Sequence, residues 1–351
     1  MNKLTKVGCS ALCGSLASIV AANAGDMTVT GGVDMTWMST ENAVTGNPLG
    51  IGSNLTFKGS GELDNGWTFD LTVANLNASS YSAANVDLKM GGLGSLNFNQ
   101  GNSGNGVHAY DDKMPTAWEE SWGNGLSTGV ILANGAGSSM NIAYTTPKFL
   151  GTTIQATYAP EMGAADTADK GSATASNSKD SGYDLTMNIN PSLGTEILSG
   201  LNIYLGGHYA ESTDGNATLY QDSGSAVGAV VFDIGPISLG YGRSGRVTGL
   251  KADVGDTVGD PDYYKNMMYG VSFNVNDDLS LSYSYYETRK EGFSNATYVK
   301  ESLRYVEVES MQIAYTVGGA SLRLAETKGT NVNFTADDNR DATVLSVGLA
   351  F

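Results

Sequence analysis

Few side chains in this 351-residue sequence could do covalent chemistry. The two histidines, His108 and His208, are too few for a multi-histidine metal site and leave little scope for histidine-based acid–base catalysis. No Gly-x-Ser-x-Gly elbow or comparable pairing of nucleophile and base stands out, which argues against an enzyme and implies no cofactor. Asp253, Asp256, Asp260 and Asp262 share a glycine-rich stretch and could surround a divalent cation. Their spacing is not that of a 12-residue calcium loop, so solvated surface charge is the better reading. A second acidic group, Asp111, Asp112, Glu119 and Glu120, lies within 101–138.

The elements that position these residues begin after a leader. Lys3 and Lys6 precede an apolar, small-residue run from Val7 to Ala22, and Ala22-Asn23-Ala24 fits a small-x-small cleavage site. Residues 1–24 read as a signal peptide, leaving 25–351 as a single exported domain. Cys9 and Cys13 both fall in the leader, so the exported part can form neither a disulfide framework nor a thiolate metal site. Removing the two leader lysines takes the net charge from −17 to −19. An acidic surface of that size argues against nucleic acid as a partner and favours cations. With 46 glycines and 18 tyrosines, the composition suits many strands joined by turns.

Hydrophobic spacing supports that choice. From Met27 to Trp37 the odd positions are Met27, Val29, Gly31, Val33, Met35 and Trp37, while the even ones are Thr28, Thr30, Gly32, Asp34 and Thr36. The same alternation returns at Tyr183–Ile189, Leu279–Tyr285, Tyr269–Val275, Met311–Val317 and Leu345–Phe351. All seven prolines fall between these segments, where a missing N–H breaks no sheet ladder.

Connection lengths alternate as well. Short turns are expected at Asp64-Asn65-Gly66, Gly91–Gly94, Gly235-Pro236, Asn276–Asp278 and Gly318–Ala320. Long stretches rich in Gly, Asn, Asp and Ser span 39–50, 101–138, 160–181, 211–225, 243–266, 287–303 and 327–341. The turn at 190–200 is longer than this rhythm predicts. About 16 strands with tight turns at one rim and long loops at the other describe an all-β, antiparallel transmembrane barrel. A soluble β-sandwich would also alternate, but it would bury the apolar face. In hydrocarbon every backbone polar group must pair within the protein, so a sheet spans only when closed, with its oily face outward. A barrel of this size is too wide for side chains to fill, which leaves an aqueous bore.

Three segments in order resemble general Gram-negative porins: Ser53–Leu63 running on to Asn65-Gly66-Trp67, Val86–Leu96, and Asn141–Gly151 continuing to Tyr158. The terminal Phe351 completes the likeness and resembles the signal read by the outer-membrane assembly machinery. The resemblance implies a 16-stranded homotrimer in outer-membrane lipid, with short periplasmic turns, long extracellular loops and a third loop folded into the lumen. That loop is 101–138 here. In the family, its carboxylates face a basic ladder on the wall. The resemblance therefore assigns Asp111, Asp112, Glu119 and Glu120 to the acidic side of a constriction and Lys58 and Lys89 to the basic wall.

Asn54, Ser82 and Gln100 stand where such porins commonly place arginine. This departure favours cations over anions. The expected function is a passive, weakly cation-selective channel for small hydrophilic solutes and ions. Two alternatives are a structural or receptor barrel with a closed lumen, and a sugar-type specific channel. The second would call for an aromatic track, and Tyr110, Tyr204 and Tyr286 are too scattered to form one.

Overall fold

Alternation lets a segment satisfy two environments at once, and the strands keep it where they face hydrocarbon. The protein is seen in a computed structural model that describes residues 24–42, 46–77, 79–101, 104–163, 179–191, 196–212, 222–249, 263–291 and 304–350. The leader up to residue 23, Phe351 and the Asp253–Asp262 group lie outside the described residues.

Sixteen strands follow one another along the chain. They are β1 (Ala24–Glu41), β2 (Leu49–Glu62), β3 (Thr68–Leu76), β4 (Ser79–Lys89), β5 (Ser95–Asn99) and β6 (Asn141–Thr145). Next come β7 (Thr152–Ala159), β8 (Lys179–Ile189), β9 (Leu201–Ser212), β10 (Ser223–Ile234) and β11 (Ile237–Val247). The set ends with β12 (Tyr263–Asn274), β13 (Leu279–Glu291), β14 (Arg304–Val317), β15 (Ala320–Thr330) and β16 (Arg340–Ala350). Each pairs antiparallel with its sequence neighbours, and β1 pairs with β16 to close the barrel.

Register shows how the two faces are sorted. Leu281, Ile313, Leu324, Leu345, Trp37 and Leu49 sit opposite one another in turn across β13, β14, β15, β16, β1 and β2. All six are exposed. Beside them on the other face run Ser284, Ser310 and Thr327, matched across β13 to β15 and at most 1% exposed. A wall that shows leucine and hides serine is inverted relative to a water-soluble protein. It places hydrocarbon outside and polar groups inside. Outward aromatic rows, Tyr158–Tyr183–Tyr209 and Tyr241–Tyr269–Tyr285, add bands of the kind that flank the apolar belt of such barrels. No helix among the described residues is long and apolar enough to cross a membrane.

The short turns fall where expected. Gly66, Gly91, Gly94, Gly235 and Gly318 adopt positive φ there, which a β-carbon would strain. The long turn at 190–200 holds one turn of helix, Glu196–Ser199, and the Asn190 amide donates to the carbonyls of Ser199 and Leu201.

Two features differ from the sequence reading. β11, β13 and β15 run on into the stretches expected as loops at 243–266, 287–303 and 327–341, and β12 begins before 266. Their outward positions there are Arg243, Lys265, Glu287, Arg289 and Lys328. Polar residues replace apolar ones as the strands approach the long-loop rim, so the alternation vanishes while the ladder continues. In addition, β3 ends at Leu76 and β4 begins at Ser79, so no long loop separates them at that rim. Asn77 supports this connection with positive φ and an amide oxygen that accepts from the Ser53 N–H.

Candidate functional site

The long stretch between β5 and β6 lies against the inner face of the barrel. Its main chain and polar side chains meet inward-facing residues on many strands. The Ala117 N–H donates to Ser282 Oγ at 2.8 Å, and the Trp118 and Glu119 N–H groups donate to Gln312 Oε1 at 3.1 Å each. The Ile131 N–H reaches Thr288 Oγ1 at 3.2 Å, the Asn124 amide reaches Ser310 Oγ at 3.2 Å, and Ser225 Oγ donates to the Asn134 carbonyl. Met114 and Pro115 occupy a gap left by Gly240 and Gly270, where a β-carbon would lie 2.4 Å from Pro115 Cδ and 2.9 Å from the Pro115 carbonyl oxygen.

The firmest fixing is one carboxylate. Asp184 on β8, whose side chain is 0% exposed, accepts the Val107 N–H at 2.8 Å and the Ala136 N–H at 3.0 Å. His208 on β9 places Nδ1 2.6 Å from the same group. Both limbs of the loop thus close on a single side chain. Gly106 and Gly135 permit it, because a β-carbon there would lie 1.9 Å and 2.2 Å from Asp184 Oδ2.

Asp111, Asp112, Glu119 and Glu120 are carried on this pinned loop and act on one another. Burial, then the charge of Asp112, pushes the Asp111 carboxyl up to about 8. Burial and Glu120 raise Asp112. Burial and a hydrogen bond with Glu119 push Glu120 up to about 7. Crowding carboxylates in a confined space always favours keeping a proton. His108 Nδ1 lies 3.5 Å from Asp111 Oδ2, and Lys113 sits 5.9 Å from the centre of the Tyr204 ring.

Lys58 projects inward from β2 and is exposed. Lys89 ends β4 beside the turn, with Nζ 2.5 Å from Asp70 Oδ2, so its charge is matched locally. Among the described residues no ion pair joins either lysine to the loop carboxylates. Asn54 faces inward opposite Gly32, and Gln100 keeps a buried side-chain oxygen without a partner among the described residues. The side chain of Ser82 lies outside the described residues.

Sequence reasoning passed over Asp184, Arg323 and Arg246. Arg323 on β15 donates to Asp34 of β1 at 2.8 Å, with its guanidinium carbon 5.7 Å from the centre of the Trp118 ring. Its place between Leu322 and Leu324 signals an inward charge by parity alone. His208 also faces inward, against Asp184.

The sequence matches the model of a family described as Gram-negative porin over residues 8–306. The chain belongs to the Gram-negative porins. It is an outer-membrane β-barrel. Solved structures similar to this porin include OmpF of Salmonella typhi in complex with daunomycin, at 13% identity and a TM-score of 0.66 over 93% of this chain and 98% of that one. An anion-selective porin from Comamonas acidovorans shares 16% identity, with a TM-score of 0.63 over 93% of this chain and 100% of its own. OmpT of Vibrio cholerae, in a trimer form, gives 13% identity and 0.59 over 94% and 100%. At these identities the likeness concerns the fold. Among curated proteins, none matches this porin at a significant level.

Proposed function

We propose that this porin is an open, passive channel for small hydrophilic solutes and ions, with a weak preference for cations. The observation that carries the reading is the group of four carboxylates, Asp111, Asp112, Glu119 and Glu120, held on a loop pinned to the inner wall. Inner residues under the loop, such as Ser284 and Ser310, are at most 1% exposed, whereas Asn54 and Lys58 on the inner face of β2 are exposed. The free bore therefore runs between the loop and β2 to β4.

Wall cations offset the loop only in part, since Lys89 is matched by Asp70 and Arg323 by Asp34, which leaves Lys58 and Arg246 to set against four loop carboxylates. Fixed charge at close quarters then selects by sign. One similar barrel is named anion-selective, so the fold alone does not fix the sign of the preference. Trimerisation is proposed with support from the trimer form of the similar OmpT. Residues 1–24 serve as a cleaved leader, and Phe351 serves as the signal to the assembly machinery.

Reconstitution in planar bilayers under a salt gradient tests the reading. Steady conductance with a cation-favouring reversal potential is expected. A closed lumen would give no steady current, and an anion-favouring sign would refute the charge assignment.

A further inference from the structure

The loop between β15 and β16, residues 331–339, turns into the barrel mouth and rests on the inner loop. The Asn333 N–H donates to the Thr128 carbonyl at 2.9 Å. Gly129 makes room for that contact, because a β-carbon there would lie 2.9 Å from Asn333 Cα and its φ is +81°. Phe334, 8% exposed, packs with Val306 and Val308 of β14, with Tyr264 of β12 and with Val130 and Ile131 of the inner loop. The Lys290 ammonium of β13 lies 5.0 Å from the centre of its ring. Val332 is fully buried, and it closes on Gly329 together with Leu126 of the inner loop.

This segment carries a costly backbone. Asn331, Asn333, Phe334 and Asp337 have φ of +54°, +53°, +59° and +64°. Asparagine and aspartate tolerate the left-handed region, whereas a phenylalanine there is strained. Strain of this kind persists only where surrounding contacts over-determine it, and it gathers at places that act on function. Here the loop braces itself. The Val332 N–H donates to the Asp338 carbonyl and the Asp337 N–H to Asn331 Oδ1, while Arg340 holds Asp338 through two N–H groups at 2.8 Å and 2.6 Å. The bracing keeps the Phe334 ring inside the barrel, against the inner loop.

We propose that residues 331–339 are a clamp, in which Phe334 and the Asn333 N–H hold the 126–131 limb of the inner loop on β13 and β14 and so keep the bore at full width. A limb released from the clamp would swing toward β2 to β4, where the free space lies, and narrow the path. Phe334 and Asn333 are positioning residues, acting on the path through the inner loop and touching no solute. The proposal rests on the channel reading above, since a clamp has an electrical effect only on an open bore.

The test records single channels of the whole barrel in planar bilayers with potassium chloride. Phe334→Ala removes the wedge and should make partial closures at least tenfold more frequent, with the fully open conductance unchanged. Asn333 is exposed, so its variants should insert even where Phe334→Ala does not. Asn333→Gly keeps the left-handed backbone and the N–H and should match the parent. Asn333→Val places a branched side chain where φ is positive and should reproduce the frequent closures. A loop that merely stabilises the barrel would lower the unfolding temperature in detergent and leave the closures as they are. Closures as rare as the parent's in Asn333→Val or in inserted Phe334→Ala, or equally frequent in Asn333→Gly, would overturn the clamp. Absence of conductance in the unmodified protein would instead overturn the channel reading.

Discussion

His208 Nδ1 and Asp184 Oδ1 meet at 2.6 Å inside the barrel wall, and the same carboxylate accepts the N–H groups of Val107 and Ala136. One acidic side chain on β8 therefore holds both limbs of the loop between β5 and β6 in place.

Asp184→Asn keeps the shape and removes the charge that three donors share. Hydrogen bonds to a charged group contribute about 1.5–3 kcal/mol each. The loop should loosen, giving a lower unfolding temperature in detergent and single-channel traces with frequent partial closures. Traces as quiet as those of the parent would show that the loop does not depend on this contact. Gly106→Ala should act similarly, because its β-carbon would lie 1.9 Å from Asp184 Oδ2 and the backbone there has φ +66°.

Ion preference should depend on pH. Asp111 is pushed up to about 8 and Glu120 up to about 7, so both lose their protons through neutral pH. Cation preference should therefore grow from about pH 6 to about pH 9, read as a shift in reversal potential. Stability should move the other way. A carboxyl that titrates near 4 when unfolded and near 8 when folded makes the folded state bind more protons between those values, so stability falls as pH rises through about 4 to 8. With Asp111, Asp112, Glu119 and Glu120 all changed to amides, both trends should flatten.

The pair at the end of β4 gives a signed test. Asp70→Asn removes the carboxylate paired with Lys89 and should reduce cation preference, whereas Lys89→Gln removes the cation paired with Asp70 and should increase it. Matching shifts in the same direction would mean that this pair lies outside the ion path.

The sorting of faces can be tested one position at a time. Ile313→Arg places a charge on the outer face of β14, where the cost near the bilayer midplane is about 2–4 kcal/mol. Yield of folded barrel should fall. Thr72→Arg, inward on β3, should insert normally and shift selectivity toward anions.

Much of the barrel was legible because alternation survives wherever one face meets hydrocarbon. Val271–Phe273 on β12 and Leu279–Tyr285 on β13 show it plainly. It failed on the same strands near the long-loop rim, where Lys265 and Arg289 face outward in a polar setting and the two faces become chemically alike. The acidic loop stood out by composition, but its anchor did not. Asp184 is a single carboxylate in an ordinary alternating strand, and its importance comes from Gly106, Val107 and Ala136, which approach it only in three dimensions. Arg246 was hidden for a related reason, since it stands at the end of β11 in a stretch that reads as loop.

The seam between β1 and β16 governs when the barrel can form. The ribosome makes β16 after every other strand, yet it is the direct partner of the first, through contacts such as Val33 with Leu349. The cylinder cannot be sealed while synthesis is under way, so the cell must keep the nascent chain soluble until all sixteen strands exist. A chain without β16 would leave β1 and β15 with unpaired edges, which hydrocarbon does not tolerate.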